Sequence, residues 1–237
     1  MSRALALIVA HNEAANLSAV ALELRGLWPP LDILVADDAS DDATAAILPG
    51  LGVRYLRLSQ QLGVGGAVRA GLRYARAHGY DRVVRLDADG QHPPSSVAAL
   101  LAALDGGVDA VVGSRYASAT VYRTPVIRRL VQRALGRALS LLIGQTVTDP
   151  TSGFWAFGPR ALELLADHHP TGYPEPELRL LLARNRMEVR ELSVEMRSRI
   201  GGRTSITPAR AALAMARAAL AMIVVPLRAR VAGKADR

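Results

Sequence analysis

The sequence predicts a single α/β domain, a mostly parallel sheet covered by helices on both faces. Short apolar runs alternate with alanine-rich stretches of helical period as far as Gly113, the pattern of a parallel sheet with crossover helices. Polar, mostly acidic clusters follow three of those runs immediately. The chain has 237 residues, half of them apolar, enough for one sizeable core and too few for two ordinary domains with linkers.

In chain order the reading is strand Ala4–Ala10, helix Asn16–Leu27, strand Asp32–Ala36, helix Ala43–Leu48, strand Val53–Leu58, helix Gly66–His78, strand Arg82–Leu86, helix Ser95–Leu104 and strand Ala110–Gly113. After Ser114 the alternation gives way to a basic helix, Pro125–Ile143, and a Gly/Pro/Thr turn, Thr148–Gly153. Helices near Arg160–Ala166 and Glu175–Asn185, a strand around Val189–Met196 and an alanine- and methionine-rich segment, Pro208–Val225, complete the reading. The predicted division is a domain over 1–207 and an amphipathic C-terminal helix and tail over 208–237.

Composition removes whole classes of chemistry. Without cysteine there is no disulfide framework, thiolate metal site or cysteine nucleophile, and any metal must be held by oxygen or imidazole. Met1 to Ala10 is a short apolar run leading straight into His11-Asn12-Glu13, unlike a signal peptide, so a cytoplasmic location is expected. The net charge of +8 is unevenly placed: Met1–Ser114 carries 9 basic and 12 acidic residues, Arg115–Arg237 carries 20 and 9. A polyanionic partner would meet the second half.

In an open parallel sheet, ligands bind at the carboxyl ends of the strands where strand order switches. Three clusters sit there: His11-Asn12-Glu13, Asp37-Asp38-Ala39-Ser40-Asp41-Asp42 and Asp87-Ala88-Asp89-Gly90-Gln91. Asp87 and Asp89, two apart on a turn, suit a hard divalent cation that retains positions for water and phosphate oxygens; an acidic surface turn is the plain alternative. Ser40 or Asp41 explains itself as a helix cap, whereas Asp37 and Asp38 precede the cap and suit hydrogen bonds from a nucleobase or ribose. Gly63-Val64-Gly65-Gly66 either cradles phosphate or permits a tight turn. It is no dinucleotide fingerprint, because the third glycine position is Val68.

These segments resemble glycosyltransferase family 2, the inverting enzymes of the GT-A fold, and within it the polyprenyl-phosphate hexosyltransferases. The resemblance rests on Ile8–Glu13, Val35–Ser40, Leu86–Pro94, Val112–Tyr116, Asp149–Phe154 and Arg199–Ser205, and it spans nearly the whole chain. It implies a GT-A nucleotide-binding sandwich with Ala10, His11, Glu13, Asp37, Asp38, Asp87 and Ala88 at the nucleotide. Asp87, Asp89 and Gln91 would hold Mg2+ or Mn2+ and the donor diphosphate. Arg115, Arg128, Arg199 and Arg203 would contact phosphates of donor and acceptor, and Glu177 would lie at the acceptor. Asp89, Arg115 and Asp149 are the implied catalytic residues. The chain has His11 where the family often has Tyr, and Ser205 where it often has Lys, with Arg203 as the replacement contact.

The resemblance thus implies a nucleotide-sugar donor and a polyprenyl-phosphate acceptor. A hydroxyl acceptor on a glycan or natural product shares every donor motif but needs a general base, for which Asp149, Glu175 and Glu177 are the candidates. A nucleotidyltransferase would want a glycine- and lysine-rich loop where His11-Asn12-Glu13 stands. A basic nucleic-acid-binding protein is disfavoured by 4% aromatic content, which leaves few stacking platforms. In Pro125–Ile143, Arg129, Arg133 and Arg137 recur every four residues and share a helix face, with Val126, Leu130, Leu141 and Leu142 expected elsewhere. Neither this helix nor the tail reaches the roughly 18 to 20 apolar residues of a membrane span. Both fit peripheral attachment to an anionic membrane's inner face.

Overall fold

The computed structural model describes residues 3–117, 126–172 and 174–199, together with Leu220, Met222 and Val224. Its elements are β1 (Ala4–Ala10), α1 (Leu17–Leu27), β2 (Asp32–Asp37), α2 (Thr44–Ile47), β3 (Arg54–Arg57), α3 (Val64–Ala77), β4 (Arg82–Asp87), α4 (Val97–Leu104) and β5 (Ala110–Ser114). There follow α5 (Val126–Ile143), β6 (Trp155–Phe157), α6 (Pro159–His168), α7 (Pro174–Arg184) and β7 (Val189–Ser193). The seven strands form one sheet in the order β3-β2-β1-β4-β6-β5-β7. All pairings are parallel except those of β6, which runs antiparallel between β4 and β5.

Period-two alternation divides the core. Leu5, Leu7 and Val9 of β1 face one layer with α3 and α6, while Ala6, Ile8 and Ala10 face the other with α1 and α4. In β4, Val84 and Leu86 belong to the second layer and Val83 to the first. By the same alternation Arg85 follows Val83, placing a 1% exposed cation on a face where the pattern calls for an apolar side chain.

Strand order reverses between β1 and β4, whose carboxyl ends lie side by side, with Val9 opposite Asp87 and Ala10 opposite Asp37 of β2. This is the crevice that the strand-end clusters predict. The sheet also holds an element the sequence reading omits, β6. The four residues between Gly153 and Gly158 are too few to show a period, and the sheet recruits three of them because Trp155, Ala156 and Phe157 are buried on both faces.

At the start of α3, a Cβ on Gly65 would lie 2.1 Å from the Pro170 carbonyl oxygen and 2.8 Å from Thr171 Cα. Helix propensity alone would make Gly65→Ala stabilising by about 1 kcal/mol. The backbone clash reverses the sign: a loss of about 1–3 kcal/mol is expected in urea unfolding.

Helix α5 corrects the expectation of an arginine face separate from its leucines. Leu135 and Leu139 turn inward with Val147 and with Leu180 of α7, and the remaining arc is wide. Leu130, Val131, Arg133, Arg137, Leu141 and Leu142 are all exposed there, Leu141 at 87%. Arginines and leucines therefore interleave on one strip. Among the described residues no helix is long and apolar enough to cross a membrane. The expected segment 208–237 lies outside the described residues, apart from Leu220, Met222 and Val224, which are helical; Met222 packs on the Leu135–Leu139 cluster.

Candidate active site

The loops after β1 and β2 are laced together. Asn12 (φ 57°) and Ala39 (φ 53°) adopt left-handed backbone, which costs a non-glycine residue energy and is held by surrounding bonds. The Asn12 N–H donates to Ser40 Oγ (3.0 Å), its Oδ1 accepts the Asp41 N–H (3.0 Å), and the Glu13 N–H donates to Thr44 Oγ1 (2.9 Å). Asp37, fully buried, accepts the Ser40 N–H at 3.1 Å and the Ser40 hydroxyl. Its Oδ2 lies 3.7 Å from Arg57 Nε and has no hydrogen-bond donor among the described residues.

Asp38 accepts the Leu62 N–H at 2.7 Å, which ties the glycine-rich turn to the β2 loop. His11 Nδ1 lies 2.8 Å from the Asp38 carbonyl oxygen and Nε2 lies 3.1 Å from Gln61 Nε2. A carbonyl can only accept, so Nδ1 carries the proton and Nε2 accepts from the amide.

Beyond β4 the turn Asp87–Gly90 carries the carboxylates. Asp87 Oδ1 accepts from Arg85 Nη2 (3.1 Å), and Arg85 Nη1 donates to Glu175 Oε1 (3.2 Å) on α7. Burial works against ionising Asp87, but the Arg85 and Arg199 cations outweigh it and hold its carboxyl below the usual range. For Glu175 burial wins and its pKa is raised despite Arg85. His92 Nδ1 accepts the Asp87 N–H (2.9 Å) and the ring stacks on Phe154 at 5.0 Å. Burial lowers the His92 pKa, consistent with a neutral ring protonated at Nε2.

Asp89 Oδ1 accepts the Gln91 N–H at 3.0 Å, and its Oδ2 accepts from Arg199 Nη2 at 3.2 Å. Arg199 Nη1 lies 3.0 Å from Glu13 Oε1, so one guanidinium spans the β1 and β4 loops. Glu13 also accepts from Asn16 Nδ2 (2.7 Å), and burial raises its pKa.

On the far side of the crevice Arg115 makes a bidentate fork with Asp149: Nε to Oδ2 and Nη2 to Oδ1, both 2.7 Å. The Arg115 N–H adds a third bond to Asp149 (3.1 Å), and Nη2 also donates to Thr151 Oγ1 (2.8 Å). Gln132 of α5 bridges Thr151 and the Tyr116 hydroxyl. Asp149, 1% exposed, is neither a plain turn residue nor an open base: it anchors Arg115. Glu177 is half-buried in the first turn of α7. The side chain of Arg128 and all of Arg203 lie outside the described residues.

The amino-acid pattern of Glycosyl transferase family 2 matches residues 6–165, which run from within β1 through β6 and include both strand-end carboxylate loops. The chain belongs to glycosyltransferase family 2.

Among its family relatives, a polyprenol monophosphomannose synthase of Mycolicibacterium smegmatis is 34% identical over 168 residues, 68% of this chain and 63% of the relative. An undecaprenyl-phosphate mannosyltransferase of Micrococcus luteus is 35% identical over 163 residues, 65% of this chain and 66% of the relative. The chain thus spans slightly less than two thirds of the length of these curated relatives. Glucosyl-3-phosphoglycerate synthase from Mycobacterium tuberculosis, solved with Mn2+, UDP-glucose and phosphoglyceric acid, superposes with a TM-score of 0.73 at 21% identity, covering 94% of this chain and 79% of that one. At that identity the likeness concerns the fold.

Two polar features of this family 2 chain escape motif reading. Arg85 left a signal, a charge inside an apolar strand, but its partner Glu175 stands 90 residues away. Arg179, stacked on Trp155 at 5.0 Å, pairs with Glu191, which also accepts the Thr148 N–H at 3.1 Å. Nothing in the local sequence marks Arg179 as a buried charge.

Proposed function

We propose that this chain transfers a hexose, with inversion, from a GDP- or UDP-sugar to a polyprenyl phosphate, assisted by Mg2+ or Mn2+. The observation that carries the acceptor class is the state of the acids. Asp149 has both oxygens in the Arg115 fork, and Glu175, 7% exposed, is paired with Arg85. Both are withdrawn from general-base work, which a hydroxyl acceptor requires and an already ionised phosphate does not; of the three candidate bases this leaves Glu177, half-buried in the first turn of α7. The relatives named as polyprenol and undecaprenyl-phosphate mannosyltransferases support the same reading.

The donor set suits a hard cation. Asp87 and Asp89 offer carboxylate oxygens on one turn, and at Gly153 a Cβ would fall 3.2 Å from Asp87 Oδ2, so the missing side chain keeps the flank of that carboxylate open. Asp87, Asp89 and Gln91 would hold the ion, which when bound stabilises the departing diphosphate as a Lewis acid. Arg85 fixes Asp87 from below. Ala10, His11, Glu13, Asp37, Asp38 and Ala88 line the nucleotide side, where Asp37 Oδ2 still lacks a donor. Arg115, pre-set by Asp149, presents positive charge to phosphate without needing to reorganise. Arg128, Arg199 and Arg203 complete the phosphate contacts.

The interleaved strip on α5 suits the surface of an anionic bilayer, the leucines entering the headgroup boundary while the arginines meet lipid phosphates. On this reading 1–207 is the catalytic domain, and 208–237 adds a second membrane contact on the cytoplasmic face.

The test is transfer by the purified chain to a short polyprenyl phosphate from a panel of GDP- and UDP-hexoses, with and without chelator, read by mass spectrometry. The expected product is a chelator-sensitive polyprenyl-phosphate hexose. Transfer to hydroxyl acceptors alone would overturn the lipid acceptor, and absence of donor binding would overturn the enzyme.

A further inference from the structure

Arg199 occupies an unusual place for a phosphate contact. Its two terminal nitrogens are committed to two carboxylates, Glu13 Oε1 at 3.0 Å and Asp89 Oδ2 at 3.2 Å. The other oxygen of Asp89 accepts the Gln91 N–H. The carboxylate proposed to receive the metal already holds a protein cation. Both acids are largely screened from water, with side chains 12% and 11% exposed, so neither is stable there as an unpaired charge.

We infer that Arg199 is a resident counter-cation that exchanges with the metal, which couples metal binding to donor binding. In the nucleotide-free protein Arg199 neutralises Asp89 and competes with a divalent ion for Oδ2. When it gives up Asp89 it keeps Glu13 as its pivot, and the freed Nη2 needs a new anion, which the donor diphosphate supplies. Metal alone must break the Arg199–Asp89 pair uncompensated; metal with nucleotide breaks it and repairs the loss. The chain therefore binds the ion weakly alone and tightly with its donor, which keeps the metal from resting in an empty site. This rests on the metal-assisted reading above and adds a residue that sets the order of binding.

The experiment is Mn2+ titration of the full chain, with free ion followed by electron paramagnetic resonance, alone and with saturating UDP or GDP. Wild type is compared with Arg199→Gln, Arg199→Lys and Asp89→Ala. Without nucleotide, Arg199→Gln is expected to bind Mn2+ about tenfold more tightly than wild type, within the usual range of coupling between sites. Adding nucleotide should tighten Mn2+ strongly in wild type and much less in this variant.

Arg199→Lys separates exchange from simple charge repulsion: lysine keeps the charge but cannot bridge both carboxylates as a fork, so intermediate tightening is expected. It reads the same quantity should the Gln variant not fold. Asp89→Ala should bind Mn2+ poorly under both conditions. Equal Mn2+ affinity of wild type and the Arg199 variants without nucleotide, with wild type binding Mn2+ normally in its presence, would overturn the exchange and leave the metal-assisted reading intact. Failure of every form to bind Mn2+ with either nucleotide would remove the metal reading and the exchange together.

Discussion

Replacing Arg85 with methionine is expected to cost the fold about 3–5 kcal/mol, the range found when one partner of a buried ion pair is removed. The cost comes from what is left behind more than from the lost attraction. Glu175 is 7% exposed and faces Arg85 from α7, the first helix after the 170–172 loop. Without the guanidinium it is a buried carboxylate with no countercharge, and it must take up a proton or draw water into the layer behind β4. Asp87 is less exposed to this fate, because its side chain is 35% accessible and water can replace the lost donor.

The double variant Arg85→Met/Glu175→Leu is expected to recover most of the loss, since buried pairs replaced by apolar side chains are often neutral to stability. Urea unfolding of the single and double variants checks this. A double variant as unstable as Arg85→Met would mean that Arg85 supports the fold through Asp87 instead.

Acid should destabilise the protein well above the range where carboxylates titrate. His169, at the end of α6, is buried, its Nδ1 2.9 Å from the Pro170 carbonyl oxygen. Burial, reinforced by Arg85, pushes its pKa down to about 3. The unfolded chain binds that proton near pH 6.5, so between the two values the unfolded state holds more protons and folding stability rises with pH. The contribution is complete above pH 6.5 and fades as pH falls towards 3, about 3 kcal/mol being lost from this group between pH 7 and 4.

His92, also lowered by burial, acts in the same direction. Glu13 and Glu175, raised by burial, act in the opposite one, because the folded state takes up their protons first. The measurement is therefore a difference: His169→Gln, which keeps an amide donor and cannot charge, should give a flatter stability curve than wild type from pH 7 to 4. Parallel curves would assign the acid sensitivity to other groups.

The strand-end loops and the layered sheet were legible in the amino-acid pattern, because both are written locally along the chain. Period two in Ala4–Ala10 selects the two core faces, and Asp87-Ala88-Asp89 must follow Leu86 wherever that strand lies. The same pattern carried the motifs that make this a family 2 chain. Which charges meet depends on folding. Arg85 finds Glu175 across 90 residues, Arg115 finds Asp149 across 34 and Arg199 finds Asp89 across 110. Those pairings turn two suspected bases into anchors and place a protein cation on the carboxylate proposed for the metal. Folding also decided which arc of α5 faces outward, because Leu135 and Leu139 find Leu180 only once α7 has docked. Hydrophobic periodicity acts between neighbours in sequence, whereas the worth of a buried charge depends on the partner that folding brings beside it.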